Sequence, residues 1–137
     1  MILLDTGFLF AFLNKDDAHH AEASATMAGI ADGEWGQPLV SDLVVAELFN
    51  LLRARKMPPE MERNAGQILL GESPLLEPVR SITAPSAAEA GQVFALYRKH
   101  RQLSFTDAVI LDEVQRRPTS RLATFDSGFK GLCDIIP

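Results

Sequence analysis

The sequence predicts an α/β sandwich built on a mainly parallel sheet, and three observations carry that prediction. Short apolar runs suited to buried strands alternate with longer segments of helical periodicity along all 137 residues. No internal repeat, low-complexity tract or Pro/Gly/Ser linker interrupts the alternation, so residues 1–137 read as a single domain. Two acids, Asp5 and Asp126, each follow an apolar run directly, at the strand ends where sites form in such sheets.

Taken in order, residues 2–4 read as a short buried strand and Gly7 to Leu13 as a short apolar helix. Asn14 to Asp17 form a polar turn, with Asp17 placed to cap a helix over His19 to Ala31. Gln37 to Ser41 give a second strand, and a strongly apolar helix runs from Leu43 to Lys56. Met57-Pro58-Pro59 stops that helix, and Pro59 opens the next one, which ends near Gly71. Leu76 to Ile82 read as a third strand, held to a sheet edge by Pro78. Ser86 caps a helix to His100, and Ser104 begins another that runs to Arg117, before Pro118. Leu122 to Phe125 make a fourth strand, and Cys133 to Ile136 a short fifth.

The composition, 47% hydrophobic and 23% charged, is that of a soluble globular protein able to bury a core without staples. The one cysteine, Cys133, excludes an internal disulfide, reads as a core filler and points to a reducing cytoplasm. No basic stretch precedes the first apolar run, so a signal peptide is not expected, and no run reaches the roughly 20 residues of a membrane span. A net charge of −5 argues against a protein that coats nucleic acid through a basic surface. It leaves a nuclease open, because bound cations invert the local sign of an acidic site. Arg53, Arg55 and Lys56, then Arg98, Lys99 and Arg101, and finally Arg116 and Arg117, are local basic clusters. Each can meet phosphate or simply sit at a solvated helix end.

Four acids stand out, each with an ordinary structural reading beside the functional one. Asp5 is placed to cap the first helix. Asp107 completes the S-x-x-D form of a capping box with Ser104. Asp126, before Ser127 and Gly128, suits an Asx-turn. Glu47 shares a helix stripe with Leu43, Val44, Asn50 and Leu51, where a lone carboxylate is costly unless paired or bound to metal. By contrast, Asp112 and Glu113 are spaced to pair with Arg116 and Arg117 on a solvated face. His19 and His20 point about 100° apart on a helix and make a poor chelating pair, even with Asp16 and Asp17 nearby. Were the four acids to converge, two carboxylates about 5 Å apart would repel by roughly 3 kcal/mol at an effective dielectric near 20. Such a set needs protonation or bound cations. Hard oxygen donors suit Mg²⁺ or Mn²⁺, ions able to activate water and stabilise charge on a phosphodiester.

At this point the sequence resembles a known family. Leu3-Leu4-Asp5-Thr6-Gly7, Val45-Ala46-Glu47-Leu48, Leu103-Ser104-Phe105-Thr106-Asp107-Ala108 and Ala123-Thr124-Phe125-Asp126-Ser127-Gly128-Phe129 look like the four acidic motifs of PIN domains, in order and across nearly the whole chain. The strongest similarity is to the toxin ribonucleases of VapBC-type toxin–antitoxin modules. That resemblance implies a three-layer α/β/α fold around a five-stranded parallel sheet. It implies Mg²⁺- or Mn²⁺-dependent endoribonuclease activity on RNA, dimerisation to a homodimer, and a small cognate antitoxin that blocks the site. Asp5, Glu47, Asp107 and Asp126 match its catalytic and metal-binding acids, with Thr6 and Thr106 as supporting hydroxyls. One position departs from the pattern. Gly7 stands where Ser or Asn is common, which removes any hydrogen bond from that side chain.

Other readings are weaker. A haloacid-dehalogenase-like phosphatase requires a second Asp where Gly7 stands, and a phospho-receiver requires an acidic pair and a late lysine. A catalytically silent PIN scaffold that binds RNA or a protein partner differs from the enzyme in one respect, turnover with added Mn²⁺. The apolar helix Leu43 to Leu52, with Met57 to Met61, offers either self-association and antitoxin contact or plain core packing.

Overall fold

The computed structural model describes residues 1–71, 77–79 and 87–137. Its elements run β1 (Ile2–Leu4), α1 (Thr6–Leu13), α2 (His20–Ala31), β2 (Pro38–Ser41), α3 (Asp42–Ala54) and α4 (Pro59–Leu69). They continue through β3 (Glu77–Val79), α5 (Ala87–Lys99), α6 (Phe105–Gln115), β4 (Arg121–Ala123), a 3₁₀ turn at Ser127–Phe129 and β5 (Ile135–Ile136). The five strands form one sheet in the order β3-β2-β1-β4-β5, and every pairing is parallel. The expected α/β sandwich is therefore present.

The strands read as continuous apolar runs because both faces of the sheet are covered. Ile2, Leu3 and Leu4 are all buried at the sheet centre, as are Val40, Leu122 and Ala123 on the neighbouring strands. From β1 the chain crosses to β2 and β3, then returns past β1 to β4. With right-handed crossovers, that reversal sets α5 and α6 on the face opposite α1 to α4. The helix packing agrees: α1 packs on α2, α3 and α4, and α5 packs on α6. The reversal makes the gap between β1 and β4 the switch point of the sheet.

Several boundaries shift from the sequence expectation for local reasons. Helix α2 starts at His20 rather than His19. Asp17 caps no helix; its Oδ1 accepts from the His19 N–H at 2.9 Å, in a turn before the helix. Helix α3 ends at Ala54, before the prolines reach it. There the Lys56 N–H donates to the Arg53 carbonyl and the Met57 N–H to the Leu52 carbonyl, with Lys56 at φ 52°. This is a Schellman turn with lysine in the left-handed position usually given to glycine. It fixes Arg55 as the C-cap. Pro78 does lie in an edge strand. Residues 72–76 and 80–86, with part of the expected third strand and the Ser86 cap, lie outside the described residues.

Two further expectations are corrected by packing. Asp112 and Glu113 do pair with Arg116 and Arg117, but on no solvated face: both carboxylates are 4% exposed. Helix α6 is buried without interruption from Ala108 to Val114. The apolar residues of α3, offered for self-association, are mostly absorbed by the core. Val44, Leu48 and Leu52 are fully buried, while Leu43, Val45, Phe49, Met57 and Met61 pack against them.

Candidate functional site

The site is built where β1 and β4 end side by side. The Asp5 N–H donates to the Ala123 carbonyl at 3.1 Å, so the register of the two strands fixes the residue after β1. Asp5 is the N-cap of α1, and its Oδ1 accepts from the Thr6 N–H at 2.7 Å. Its other oxygen accepts from the Thr124 hydroxyl at 2.8 Å. Thr124 accepts in turn from the Asp126 N–H at 3.0 Å, so one threonine ties the two strand-end acids together. Asp126 Oδ1 accepts from the Gly128 N–H at 2.7 Å in the expected Asx geometry. Asp107 enters from the start of α6, held by the expected capping box: the Ser104 N–H donates to Asp107 Oδ2 at 2.7 Å, and the Asp107 N–H to Ser104 Oγ at 3.1 Å.

Asp5, Glu47, Asp107 and Asp126 all line one open cleft, together with Thr6, Gly7, Asp17, His19, Arg55, Ser104 and Phe125. Every ordinary reading of the three aspartates is thus correct, and none is exhaustive. A carboxylate has about four lone-pair positions, and these caps occupy one or two of them.

Electrostatics separates Asp5 from the others. Its carboxyl is pushed up to about 6, first by burial and then by the charges of Asp107 and Asp126. The bonds from Thr124 and Thr6 pull the other way and lose. Beside it, the Thr6 hydroxyl is buried with no hydrogen-bond partner. A desolvated carboxylate next to two others and an orphaned hydroxyl form a polar site whose own residues leave it unsatisfied.

Glu47 behaves differently from the sequence reading. It lines the cleft from α3 but is exposed, because the buried stripe of that helix runs through Val44, Leu48 and Leu52. The apolar neighbours in its sequence do not bury it. Thr106 is half-buried and does not reach the cleft, and Ser104 supports Asp107 instead. Among the described residues, no three His, Cys, Asp or Glu side chains form a ready-made metal cage. The acids share a cleft rather than a point.

Sequence reasoning missed Thr124, whose bond to Asp5 spans 119 positions and leaves no local signature. It also set aside His19, which faces the cleft with its ring 4.3 Å from that of Phe125 and nearly parallel to it. His20 is structural: its Nδ1 lies 2.9 Å from the Ala11 carbonyl and ties α2 to α1. Arg55 reaches the cleft with its guanidinium laid over the buried Phe10 ring, 4.8 Å from the centroid. Cys133 is half-buried, and burial pushes its thiol up to about 11, which leaves it unreactive.

Known proteins share the family and the fold. A chain 30% identical over 129 residues, covering 93% of this chain and 78% of its own length, is a VapC ribonuclease of Archaeoglobus fulgidus. Among solved structures, Mycobacterium tuberculosis VapC20, a Sarcin-Ricin loop cleaving toxin, superposes with a TM-score of 0.77 at 22% identity over all of both chains. Rickettsia felis VapBC2, bound to a DNA fragment from its promoter, gives a TM-score of 0.67 at 18% identity, over 98% of this chain and 97% of that one. FitAcB of Neisseria gonorrhoeae gives 0.63 at 19% identity, over 100% and 97%. At these identities the structural likenesses establish the fold. The PIN-domain family model matches residues 2–135, and the chain belongs to the PIN-domain family.

Proposed function

We propose that this protein is a divalent-cation-dependent endoribonuclease and the toxin of a type II toxin–antitoxin pair, with Asp5, Asp107 and Asp126 holding the cation. The observation that carries the reading is the carboxylate cluster at the β1–β4 switch point, with Asp5 raised to about 6 and no cationic side chain bonded to it among the described residues. The VapC ribonuclease relative, the toxin VapC20 and the VapBC2 assembly support the activity and the partner class.

The residues present fit a hard cation. All donors are carboxylate or hydroxyl oxygens, and the orphaned Thr6 hydroxyl calls for one more polar neighbour. Mg²⁺ or Mn²⁺ suits such donors and retains several of its own waters, consistent with acids that line a cleft without closing into a cage. When bound, the cation supplies Lewis acidity toward a phosphodiester oxygen and water.

The chain's own residues do the rest. Thr124 orients the Asp5 carboxylate, Ser104 holds Asp107, and the Gly128 N–H holds Asp126. Glu47 is exposed and makes no hydrogen bond or ion pair among the described residues. It is free to orient the attacking water and accept its proton. Arg55 meets the RNA phosphate with a charge that the acids cannot supply. The same proposal includes a single-domain cytoplasmic protein, a homodimer and a cognate antitoxin over the cleft. Light scattering at micromolar concentration decides the dimer, and a monomer there removes it.

The test is cleavage of unstructured RNA with Mg²⁺ or Mn²⁺, with and without chelator. Wild type is expected to cleave and to stop with chelator. Asp5→Asn keeps the shape, loses the charge, and is expected to lower cleavage at least a thousandfold. Wild type that binds RNA without turnover in Mn²⁺ identifies a silent scaffold instead.

A further inference from the structure

Outside the acids, the cleft carries one feature that metal binding does not use, a stack of three rings. Phe8, fully buried, lies 5.9 Å from Phe125, with 24° between the rings. Phe125 is half-buried, and its other neighbour is the exposed His19, at 4.3 Å and 13°. The stack therefore runs from the core to the rim and ends on an imidazole at the edge of the cleft. The His19 backbone is fixed as well, because its N–H donates to Asp17 Oδ1 at 2.9 Å. Phe125 immediately precedes Asp126, so the platform is anchored one residue from a site acid.

We propose that His19, backed by Phe125, is the base-stacking platform of this site, taking the face of an unpaired nucleobase next to the phosphate held at the acids. The proposal rests on the ribonuclease reading and adds to it how the RNA is gripped. An exposed flat ring that lines an open cleft and is held parallel to a second ring matches how proteins take single-stranded bases. A histidine recruited as a metal ligand would need neighbouring donors at its nitrogens, whereas here the ring face is what the fold has aligned. Every base has such a face, so the platform favours unpaired over duplex RNA and discriminates little among sequences. Arg55, on the same cleft, is suited to the phosphate of a neighbouring nucleotide. His19 is a positioning residue and takes no part in the bond change.

The experiment measures steady-state cleavage of an unstructured RNA oligonucleotide of mixed sequence, in Mn²⁺, by wild type, His19→Ala and His19→Phe. Loss of a stacked base is expected to raise KM roughly tenfold in His19→Ala and to move kcat by no more than about threefold. His19→Phe keeps the stack and is expected to restore KM. His19→Trp supplies a direct readout: its fluorescence is expected to be quenched when the same RNA is added, relative to the background of Trp35. An unchanged KM in His19→Ala, a failure of His19→Phe to rescue, or an unquenched indole in RNA-bound His19→Trp overturns the platform. Wild type that cleaves no RNA in Mn²⁺ overturns the ribonuclease reading instead, so the two failures are distinct.

Discussion

This chain buries acids in two places and treats them oppositely. On α6, Asp112 and Glu113 are each 4% exposed, yet both are neutralised. Arg116 Nε lies 2.8 Å from Asp112, Arg116 Nη2 lies 2.5 Å from Glu113, and Arg117 closes on Glu113 as well. At the β1–β4 switch point Asp5 is nearly as deeply buried, and its bonded partners are a hydroxyl and a backbone N–H. Two further carboxylates raise it, and among the described residues no arginine is bonded to it. The sequence places arginines one turn from Glu113, whereas Arg55 only shares a cleft with Asp5. Burial without neutralisation is costly to a fold, and such sites concentrate where chemistry is done.

The comparison is broken most severely at the structural end. Glu113→Ala leaves Arg117, with 24% of its side chain exposed, without its carboxylate partner, and leaves Arg116 with Asp112 and Glu89. Breaking a buried pair costs about 3–5 kcal/mol, and the partial exposure of both arginines lowers that to roughly 2–3 kcal/mol. Urea denaturation is expected to show that loss, while RNA cleavage at a temperature where the variant is folded stays at the wild-type level. A variant as stable as wild type would remove the contrast between the two acid sites.

Asp5→Asn is expected to move stability the other way. The folded value of about 6 lies above the ordinary 3.8, so the native state holds its proton more tightly than the unfolded chain. The contribution of Asp5 is therefore most favourable below about pH 4, falls as pH rises toward 6, and is a full penalty above it. A rise of about two pH units corresponds to roughly 3 kcal/mol. Part of the gain on substitution is lost with the Thr124 hydrogen bond, so metal-free Asp5→Asn should exceed metal-free wild type by about 1–2 kcal/mol at pH 7 and by little at pH 4. Mg²⁺ should raise the Tm of wild type, more at pH 7 than at pH 5, and leave the variant unmoved. A variant less stable than wild type at pH 7 would mean that Asp5 is already neutralised within the fold.

These two regions also show what a sequence makes legible. The strands were readable because a sheet covered on both faces requires uninterrupted apolar runs, and Ile2 to Leu4 is one. The aspartates were readable because caps and strand ends are local: Asp107 with Ser104, and Asp126 with Gly128, lie within three residues of their partners. Burial was not local. Glu47 has apolar neighbours yet faces solvent, one position from Leu48 in the buried stripe. The i,i+4 pairing of Glu113 with Arg117 was visible, but its depth depends on how α5 and the sheet close over α6. Thr124 and His19 acquire their meaning only when distant segments meet, at Asp5 and at the Phe8–Phe125 stack.

The smallest expected effect sharpens the site itself. Gly7 lies in the first turn of α1, at the position where the resemblance led us to expect a Ser or Asn side chain. A Cβ there would meet Asp5 Oδ2 at 3.6 Å, an ordinary contact, and nothing else within 4 Å. Space is therefore not the reason for glycine, and its backbone is helical, so neither is a left-handed conformation. Gly7→Ser should fit without strain, gain a few tenths of a kcal/mol from helix propensity, and place a hydroxyl beside the buried Asp5 carboxylate. If that carboxylate holds the cation, half-maximal cleavage should need about two- to threefold less Mg²⁺, with kcat at saturating Mg²⁺ changed less. A Mg²⁺ dependence identical to wild type, in a variant shown to be folded, would mean that the cation sits beyond reach of position 7. The weight of the site would then lie with Asp107 and Asp126, with Asp5 acting on Asp126 through Thr124.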